Sequence, residues 1–193
     1  MPKSERYIFS GSPPEPLPND KSGIKKSKLR FTHKMLAQTP ETTTAGEVRI
    51  TDTSNFPLST TVAAAHVVIK PGAVREIHWH PNADEWSYFI RGRARVTIFA
   101  SSSTARTFDY ATGDVGIVPV NMAHYVENVS ETEDVEMLEI FRAPAFEDFS
   151  LEQWLGSTPK RMVAEHLFRE NPRAGAEFVD ALRAVKEVVK PKL

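Results

Sequence analysis

The sequence contains no cysteine among its 193 residues. Disulfide bonds, thiolate metal sites and cysteine nucleophiles are therefore excluded. Any metal ion must be held by nitrogen and oxygen atoms alone. Such ligands favour the harder first-row ions manganese and iron, with cobalt, zinc and nickel as substitutes.

Charge of one sign is not in excess either. The chain has 24 basic and 25 acidic side chains, for a formal net charge of −1. Because the sequence has no basic stripe, nucleic acid is not an expected partner. A small anionic substrate would need a local positive centre, such as a metal ion or an arginine, since the overall field does not supply one.

Long apolar segments are also missing. The sequence has no run of eighteen apolar residues, so we expect no membrane span and no membrane partner. Its first residues, MPKSERYIFSGSPPEPLPND, are polar and proline-rich and lack the apolar stretch of a secretory signal. For the chain as written we therefore expect a cytoplasmic location.

The pattern along the chain predicts three regions: an extended arm over 1–28, a β-rich domain over 29–148 and helices over 149–193. Closely spaced prolines block regular structure in the arm. The middle region has many short apolar or alternating segments separated by turn residues, which is typical of an all-β sandwich or barrel. The predicted strands are VRITDTSNF, TVAAAHVVIK, WSYFIRG, ARVTIFA, RTFDYATG, VGIVPV, HYVENV and VEMLEIF.

The helical region begins with two start signals. Ser150 and Gln153 have the spacing of a capping box. Thr158 and Pro159 predict a second helix, with the threonine as N-cap and the proline at the first helical position. An apolar stripe at helical spacing, either core or subunit contact, is formed by Phe178, Leu182, Val185 and Val189.

The stretch HWHPNADEW, residues 78–86, concentrates metal-binding side chains. On a strand, His78 and His80 point to the same side. A turn at Pro81-Asn82 would let the chain bring Glu85 back to the same pocket. A fourth ligand should lie on another strand, and the best candidate is His124 in VPVNMAHYVEN.

The remaining histidines have an ordinary structural interpretation. His66 lies within a predicted strand, where a lone histidine is more often a hydrogen-bonded core residue than a ligand. We interpret His33 and His166 in the same way.

The candidate ligands belong to two longer patterns of spaced residues. The first pattern is Gly72, five residues, His78-x-His80, four residues, Glu85, six residues and Gly92. The second, twenty residues later, is Gly113, five residues, Pro119, four residues, His124, three residues and Asn128. These patterns resemble the two motifs of the cupin family, whose members fold as a jelly-roll barrel, the double-stranded β-helix. Asn121 stands where the second motif usually has glycine, but asparagine tolerates positive φ better than most residues.

A closer resemblance is to the oxalate decarboxylases, carried by REIHWH…ADEW, by ATGDVGIVPVNMAHYVENV and by SLEQWL. These enzymes are usually bicupins, and this chain is most similar to their C-terminal half. The resemblance implies a lyase that converts oxalate to formate and carbon dioxide, with dioxygen as a co-substrate. It also implies manganese held by His78, His80, Glu85 and His124.

Two further residues match family positions. The resemblance makes Arg75 the residue that polarises bound oxalate and Glu139 the glutamate near the metal. In VEMLEIF, Glu139 shares a face with apolar residues, where a carboxylate is costly without a partner and desolvation raises its pKa. Strict alternation places Glu76, not Arg75, on the His78 side, so the role of Arg75 requires a β-bulge between 75 and 78.

Alternatives remain open at this point. FRAPAFEDFS contains Glu147 and Asp148, which are alternatives to Glu139 as proton donor. It does not match the serine–glutamate–asparagine–serine lid that the resemblance associates with the more active site of the bicupins. Without a placed acid, oxalate oxidase side activity is the alternative outcome. The chain could also be a metal-binding domain with little catalysis, or act on another small carboxylic acid. A homodimer or a higher homo-oligomer that uses the arm and the C-terminal helices is expected, because a lone cupin domain should replace its missing partner by self-association.

Overall fold

The structure is a computed structural model that describes residues 29–184. The chain divides into Met1–Phe31 and Thr32–Leu193, and every element described here belongs to the second unit. A short 3₁₀ turn at Met35–Ala37 comes before the strands. In the described part the strands are β1 Glu41–Thr43, β2 Gly46–Thr51, β3 Ala63–Ile69, β4 Val74–Trp79, β5 Glu85–Arg91, β6 Arg93–Ala100, β7 Thr104–Ala111, β8 Val115–Val118, β9 His124–Asn128, β10 Val135–Phe141 and β11 Phe149–Ser150. The helices are α1 Leu151–Ser157, α2 Lys160–Leu167 and α3 Pro172–Ala184.

The strands form two antiparallel sheets. Sheet A has the order β1-β2-β3-β10-β5-β8, and sheet B has the order β11-β4-β9-β6-β7. This is the all-β jelly-roll architecture expected from the sequence. Some neighbouring strands, such as β3 and β10 or β4 and β9, come from distant parts of the chain, so residues far apart in sequence are brought side by side.

Alternation along the strands creates the core. Every second residue of β10 is buried, and β5 shows the same period. Because successive side chains of a strand point to opposite faces, one face of each sheet supplies the interior. The core side chains include Val67, Phe89, Val96, Val126, Val135, Met137 and Phe141.

Two tight turns need unusual backbone angles. Gly92, between β5 and β6, has φ of 86°, and a Cβ placed there would lie 2.4 Å from the carbonyl oxygen of Asp134. Asn121, before β9, has φ of 62°. The asparagine thus adopts the left-handed conformation that the cupin motif usually gives to glycine, as predicted from its tolerance of positive φ.

The first predicted helix start is confirmed and the second is wrong. The Ser150 side chain accepts a hydrogen bond from the Gln153 backbone N–H, and the Gln153 side chain completes the capping box. Thr158 instead ends α1, with its hydroxyl donating to the Trp154 carbonyl at 2.7 Å. Pro159 is the N-cap of α2. The hydroxyl of Thr158 reaches back because carbonyls at a helix end lack intrahelical donors.

The apolar stripe of the last helix is described in part. In α3, Val179 is fully buried, whereas Phe178 is 37% exposed and Leu182 is half-buried. The predicted positions Val185 and Val189 lie outside the described residues, as does the predicted arm over 1–28. Within residues 29–184, no helix is long and apolar enough to cross a membrane.

Strand ends differ from the sequence-based prediction where side chains bind the backbone. The predicted strand VRITDTSNF stops at Thr51, since Asp52 accepts a hydrogen bond from the Ser54 N–H at 2.8 Å and turns the chain. The very short strands β1 and β11 were not predicted, and β4 was implied only by the assumption that His78 lies on a strand. β11 pairs Phe149 with Trp79 and Ser150 with His78.

Candidate metal centre

Four buried side chains from three strands meet in one place. His78 lies on β4, His80 follows its last residue, and Glu85 and His124 are the first residues of β5 and β9. One nitrogen or oxygen atom from each lies within 4.8 Å of those of the others. The structure thus brings together all four residues that the sequence proposed as ligands.

Strand pairing explains this convergence. β4 and β9 are neighbours in sheet B, and His78 lies directly opposite His124. The turn after β4 carries the chain to sheet A, where Glu85 begins β5. This turn is held by a hydrogen bond from the Asn121 N–H to the His80 carbonyl, 3.0 Å long.

Backbone carbonyls orient the three imidazoles. Each Nδ1 has a carbonyl partner, which orients the ring so that Nε2 faces the centre of the cluster. Burial, followed by the charge of Arg75, holds the pKa of His78 well below its usual value, which keeps this ring neutral. The Nδ1 contacts are His78 with Glu76 O at 2.8 Å, His80 with Glu147 O at 2.8 Å and His124 with Met122 O at 3.1 Å.

Glu85 completes the donor set with an ionised oxygen. Its Oε2 lies 3.0 Å from Nε2 of both His80 and His124. Burial opposes ionisation, but these hydrogen bonds hold the pKa of Glu85 well below its usual value. Three imidazoles and one carboxylate fit a first-row divalent ion such as Mn(II), and they leave coordination positions open for other ligands.

Arg75 reaches the same site through a β-bulge. Arg75 pairs with Val126 and His78 pairs with His124, so three steps along β4 match two steps along β9. This extra residue turns Arg75 inward, which strict alternation would not do. Its Nε donates to Nε2 of His78 at 3.2 Å, and its Nη2 donates to Asp148 at 3.4 Å.

Glu139 is a buried carboxylate facing this arginine. Its side chain is 0% exposed, and Oε1 lies 3.4 Å from Arg75 Nε. Among the residues that the structure describes, no group donates a hydrogen bond to either Glu139 oxygen. Burial raises the pKa of Glu139 to about 7, although Arg75 acts in the opposite direction.

Sequence reasoning missed two neighbours of the site. Ser87 donates a hydrogen bond of 2.5 Å to Glu85 Oε1. Its position two residues after a ligand on a strand is the signal that could have found it. Asp148 was considered only with Glu147 as an alternative acid, and its pairing with Arg75 was not predicted.

The other histidines lie in ordinary structural surroundings. His66 is buried and its Nε2 lies 2.8 Å from Glu136 Oε1, so it is hydrogen-bonded as predicted. His33 is within hydrogen-bonding distance of Gln38, at 2.8 Å. His166 is exposed on α2, so the prediction of a core residue is wrong at this position.

The fold and the site agree with comparisons to known proteins. A family model described as Cupin matches residues 33–172. The chain therefore belongs to the cupin family.

Its curated relatives include oxalate decarboxylases. The chain is 44% identical to oxalate decarboxylase OxdC of Bacillus subtilis over 195 residues, which covers 100% of this chain and 49% of that protein. The match is to its C-terminal half. An oxalate decarboxylase of Arthroderma benhamiae is 51% identical over 144 residues, covering 75% of this chain and 33% of that protein. The chain thus spans half or less of the length of these relatives.

Solved structures give the same result. A structure of Bacillus subtilis oxalate decarboxylase from work on its Mn(II) centres matches with a TM-score of 0.80 and 44% identity, covering 96% of this chain and 48% of that chain. A second structure, from work on the substrate binding mode and reaction specificity of oxalate decarboxylase, matches with a TM-score of 0.79 and 44% identity, covering 94% of this chain and 47% of that chain.

Proposed function

We propose that this cupin domain binds Mn(II) through His78, His80, Glu85 and His124 and degrades oxalate to formate and carbon dioxide. The observation that carries the proposal is the placement of a guanidinium and a protonatable carboxylate beside a buried three-histidine, one-glutamate cluster. The related oxalate decarboxylases support the choice of substrate. Fe, Co, Ni and Zn are possible substitutes at such a donor set.

Arg75 would bind the substrate. Its guanidinium has several donors in a planar fork that matches a carboxylate, and its side chain is only 15% exposed. A dianion such as oxalate needs positive charge, and the chain as a whole does not supply it. We propose that Arg75 holds the oxalate carboxylate that is farther from the ion.

Glu139 would be the proton donor. Formation of formate requires a proton at the carbon that loses carbon dioxide. With a pKa of about 7, Glu139 is a protonated donor at mildly acidic pH, and burial keeps it from exchanging freely with water. When bound, manganese supplies Lewis acidity and redox capacity, with dioxygen as the proposed co-substrate.

The test is to load the protein with Mn(II), add oxalate in air at mildly acidic pH and measure formate and hydrogen peroxide together. We expect formate in excess over peroxide. Peroxide in excess would indicate oxidase chemistry instead. Neither product, with bound Mn(II) verified by metal analysis, would contradict the proposal.

A second candidate function is metal binding with little catalysis. The position of Glu147 favours this function. Its side chain is exposed, and its backbone carbonyl is hydrogen-bonded to His80. Glu147 therefore does not serve as a second buried acid over the site. The chain would then be the metal-holding half of a larger assembly, and the product assay separates this function from the first.

A further inference from the structure

Ser87 and Glu85 lie on the same face of β5. The two residues are separated by one position along the strand, so their side chains point in the same direction. Both are buried, with 4% exposure for Ser87 and 2% for Glu85. The Ser87 hydroxyl is therefore part of the surroundings of the metal-binding carboxylate, although it is not itself a ligand.

The two carboxylate oxygens of Glu85 have different partners. Oε2 faces the centre of the cluster and lies 3.0 Å from two imidazole nitrogens, on His80 and His124. Oε1 accepts the Ser87 hydroxyl hydrogen bond at 2.5 Å. A hydrogen bond from a hydroxyl to an ionised carboxylate is stronger than one between neutral groups.

We propose that Ser87 is a positioning residue that holds Glu85 as a ligand through one oxygen. A carboxylate can bind a metal ion through one oxygen or through both, and a tilt of the carboxylate within its own plane interconverts the two modes. A tilt that brought Oε1 toward the ion would move it away from the Ser87 hydroxyl. The serine thus keeps open a coordination position that substrate would otherwise share with Oε1. This inference rests on the proposed metal binding.

The surroundings of Ser87 strengthen this effect. A cavity of about 10 Å³ adjoins Ser87 and Glu85 and is lined mainly by apolar side chains, including Phe89, Val96 and Met137. In such surroundings a hydrogen bond is stronger than in water. The cavity has room for about one water molecule, so a water could take the place of the hydroxyl in an alanine variant.

The experiment compares Mn(II) binding by the wild-type protein and Ser87→Ala. We expect the Kd for Mn(II), measured by electron paramagnetic resonance of the free ion, to rise about tenfold, as is typical when a partner of a metal ligand is removed. In the infrared difference spectrum between Mn(II)-loaded and metal-free protein, the two carboxylate stretching bands should lie closer together for Ser87→Ala than for the wild-type protein. Narrowing is the sign of coordination by two oxygens.

Two further substitutions of Ser87 address two complications of the alanine variant. A water entering Ser87→Ala could replace the hydroxyl, and the variant could fail to fold. Ser87→Cys fills the space with a sulfur whose S–H is a weak donor, so it should also bind Mn(II) more weakly, whereas Ser87→Thr keeps the hydroxyl and should restore wild-type binding. The matched control is Thr97→Val, which removes a buried hydroxyl bonded to Thr107 and should leave both readouts unchanged.

The outcomes separate this inference from the proposed function. Wild-type affinity and an unchanged carboxylate spectrum in Ser87→Ala, or in Ser87→Cys if the alanine variant does not fold, would overturn the role of Ser87. Absence of Mn(II) binding by the wild-type protein would instead overturn the proposed function itself.

Discussion

Arg75 is the residue whose location depends most on a local irregularity of the backbone. With regular alternation its side chain would lie on the outer face of β4, and Glu76 would face the ligands. The bulge between Arg75 and His78 reverses this arrangement. One extra residue in the strand therefore decides whether a positively charged side chain faces the metal ligands.

Arg75→Lys should weaken substrate binding more than it lowers turnover. Lysine keeps the charge but loses the planar fork, so we expect the KM for oxalate to rise roughly 10- to 100-fold, the scale of one or two charged hydrogen bonds. Steady-state kinetics of the Mn(II)-loaded protein would measure this. Arg95→Lys, which changes an exposed arginine paired with Asp109, is the control and should keep the wild-type KM.

Glu139→Gln should remove the proton donor and retain the shape of the side chain. We expect formate production to fall by about 10²- to 10⁴-fold, the range for loss of a general acid, and the peroxide share to rise. Product analysis at constant Mn(II) occupancy checks this. Glu136→Gln on the same strand contacts His66 instead and serves as the control. Equal formate from Glu139→Gln and wild type would exclude Glu139 as the donor.

The metal ligands could be predicted from the sequence because their spacing along the chain is recognisable without knowledge of the fold. His78, His80 and Glu85 lie in one short stretch, and His124 follows a proline-marked turn. Ser87 and Asp148 carry no such pattern, since a serine on a strand and an aspartate in a loop are common. Their roles depend on distances, which only the folded chain provides.

At the scale of elements, the segment 142–148 between β10 and β11 closes one side of the site. Its Pro144 carbonyl accepts from the Thr53 N–H at 3.0 Å, and its Ala145 carbonyl accepts from Asn82 at 2.9 Å. The Phe146 N–H donates to Asp52 at 3.3 Å. The segment is thus fixed to the turn after β2 and to the turn that carries the ligands.

Asp52 should make the stability of this segment depend on pH. Burial would raise the pKa of Asp52, but hydrogen bonds from Ser54 and Phe146 outweigh it and lower the pKa below the ordinary value. The stabilisation is therefore complete above the ordinary value and is lost as pH falls through the lowered one. Asp52→Asn should be less stable than wild type by about 1 kcal/mol at pH 7, with a smaller difference near pH 3.

Urea unfolding at the two pH values measures this difference. Glu131→Gln, which changes an exposed carboxylate between β9 and β10, should show no such convergence with wild type. A stability difference for Asp52→Asn that stays constant down to pH 3 would contradict the role given to its ionised form.

Elements were predicted well where periodicity decides them and poorly where one side chain does. The alternation of β10 identified its inward face, including Glu139. The end of β2 depends on the Asp52 carboxylate bonding to the backbone, and the start of α2 on which helix the Thr158 hydroxyl serves. Threonine before proline is compatible with both choices, so the sequence could not decide between them.

At the scale of the whole molecule, bound metal should stabilise the folded domain. An ion present at 100 times its Kd adds about 2.7 kcal/mol to the free energy of unfolding when only the folded state binds it. For a chain of this size we expect Mn(II) to raise Tm by roughly 5–10 °C. Differential scanning fluorimetry would show the shift, and a chelator should reverse it. Glu85→Gln should abolish it, and a shift of equal size in that variant would place the ion elsewhere.

The outer face of sheet A supports the prediction of self-association. Contiguous exposed apolar residues on a soluble protein often mark an interface. Each of the following side chains is more than a third exposed: Trp86, Tyr88 and Ile90 on β5, and Val115 and Ile117 on β8. We therefore predict that this face joins two copies of the chain, in place of the C-terminal helices that the sequence analysis proposed as the interface.

Trp86→Glu should shift the protein to a monomer of 21.6 kDa, because it places a charge at the centre of this face. Light scattering coupled to size-exclusion chromatography measures the mass. Met162→Glu, on the exposed side of α2, is the control and should remain a dimer or a higher oligomer. A wild-type protein that is already monomeric would contradict the prediction.

The placement of the ligands has one further consequence. His78, His80 and His124 belong to the β4–β9 side in sheet B, whereas Glu85 begins a strand of sheet A. An ion bound by all four would join the two sheets, as a disulfide does in proteins that contain cysteine. Unlike a disulfide, this cross-link could be removed by a chelator and restored by adding the ion. Hydrogen exchange at the β4–β5 turn would then report whether the sheets separate more readily without it.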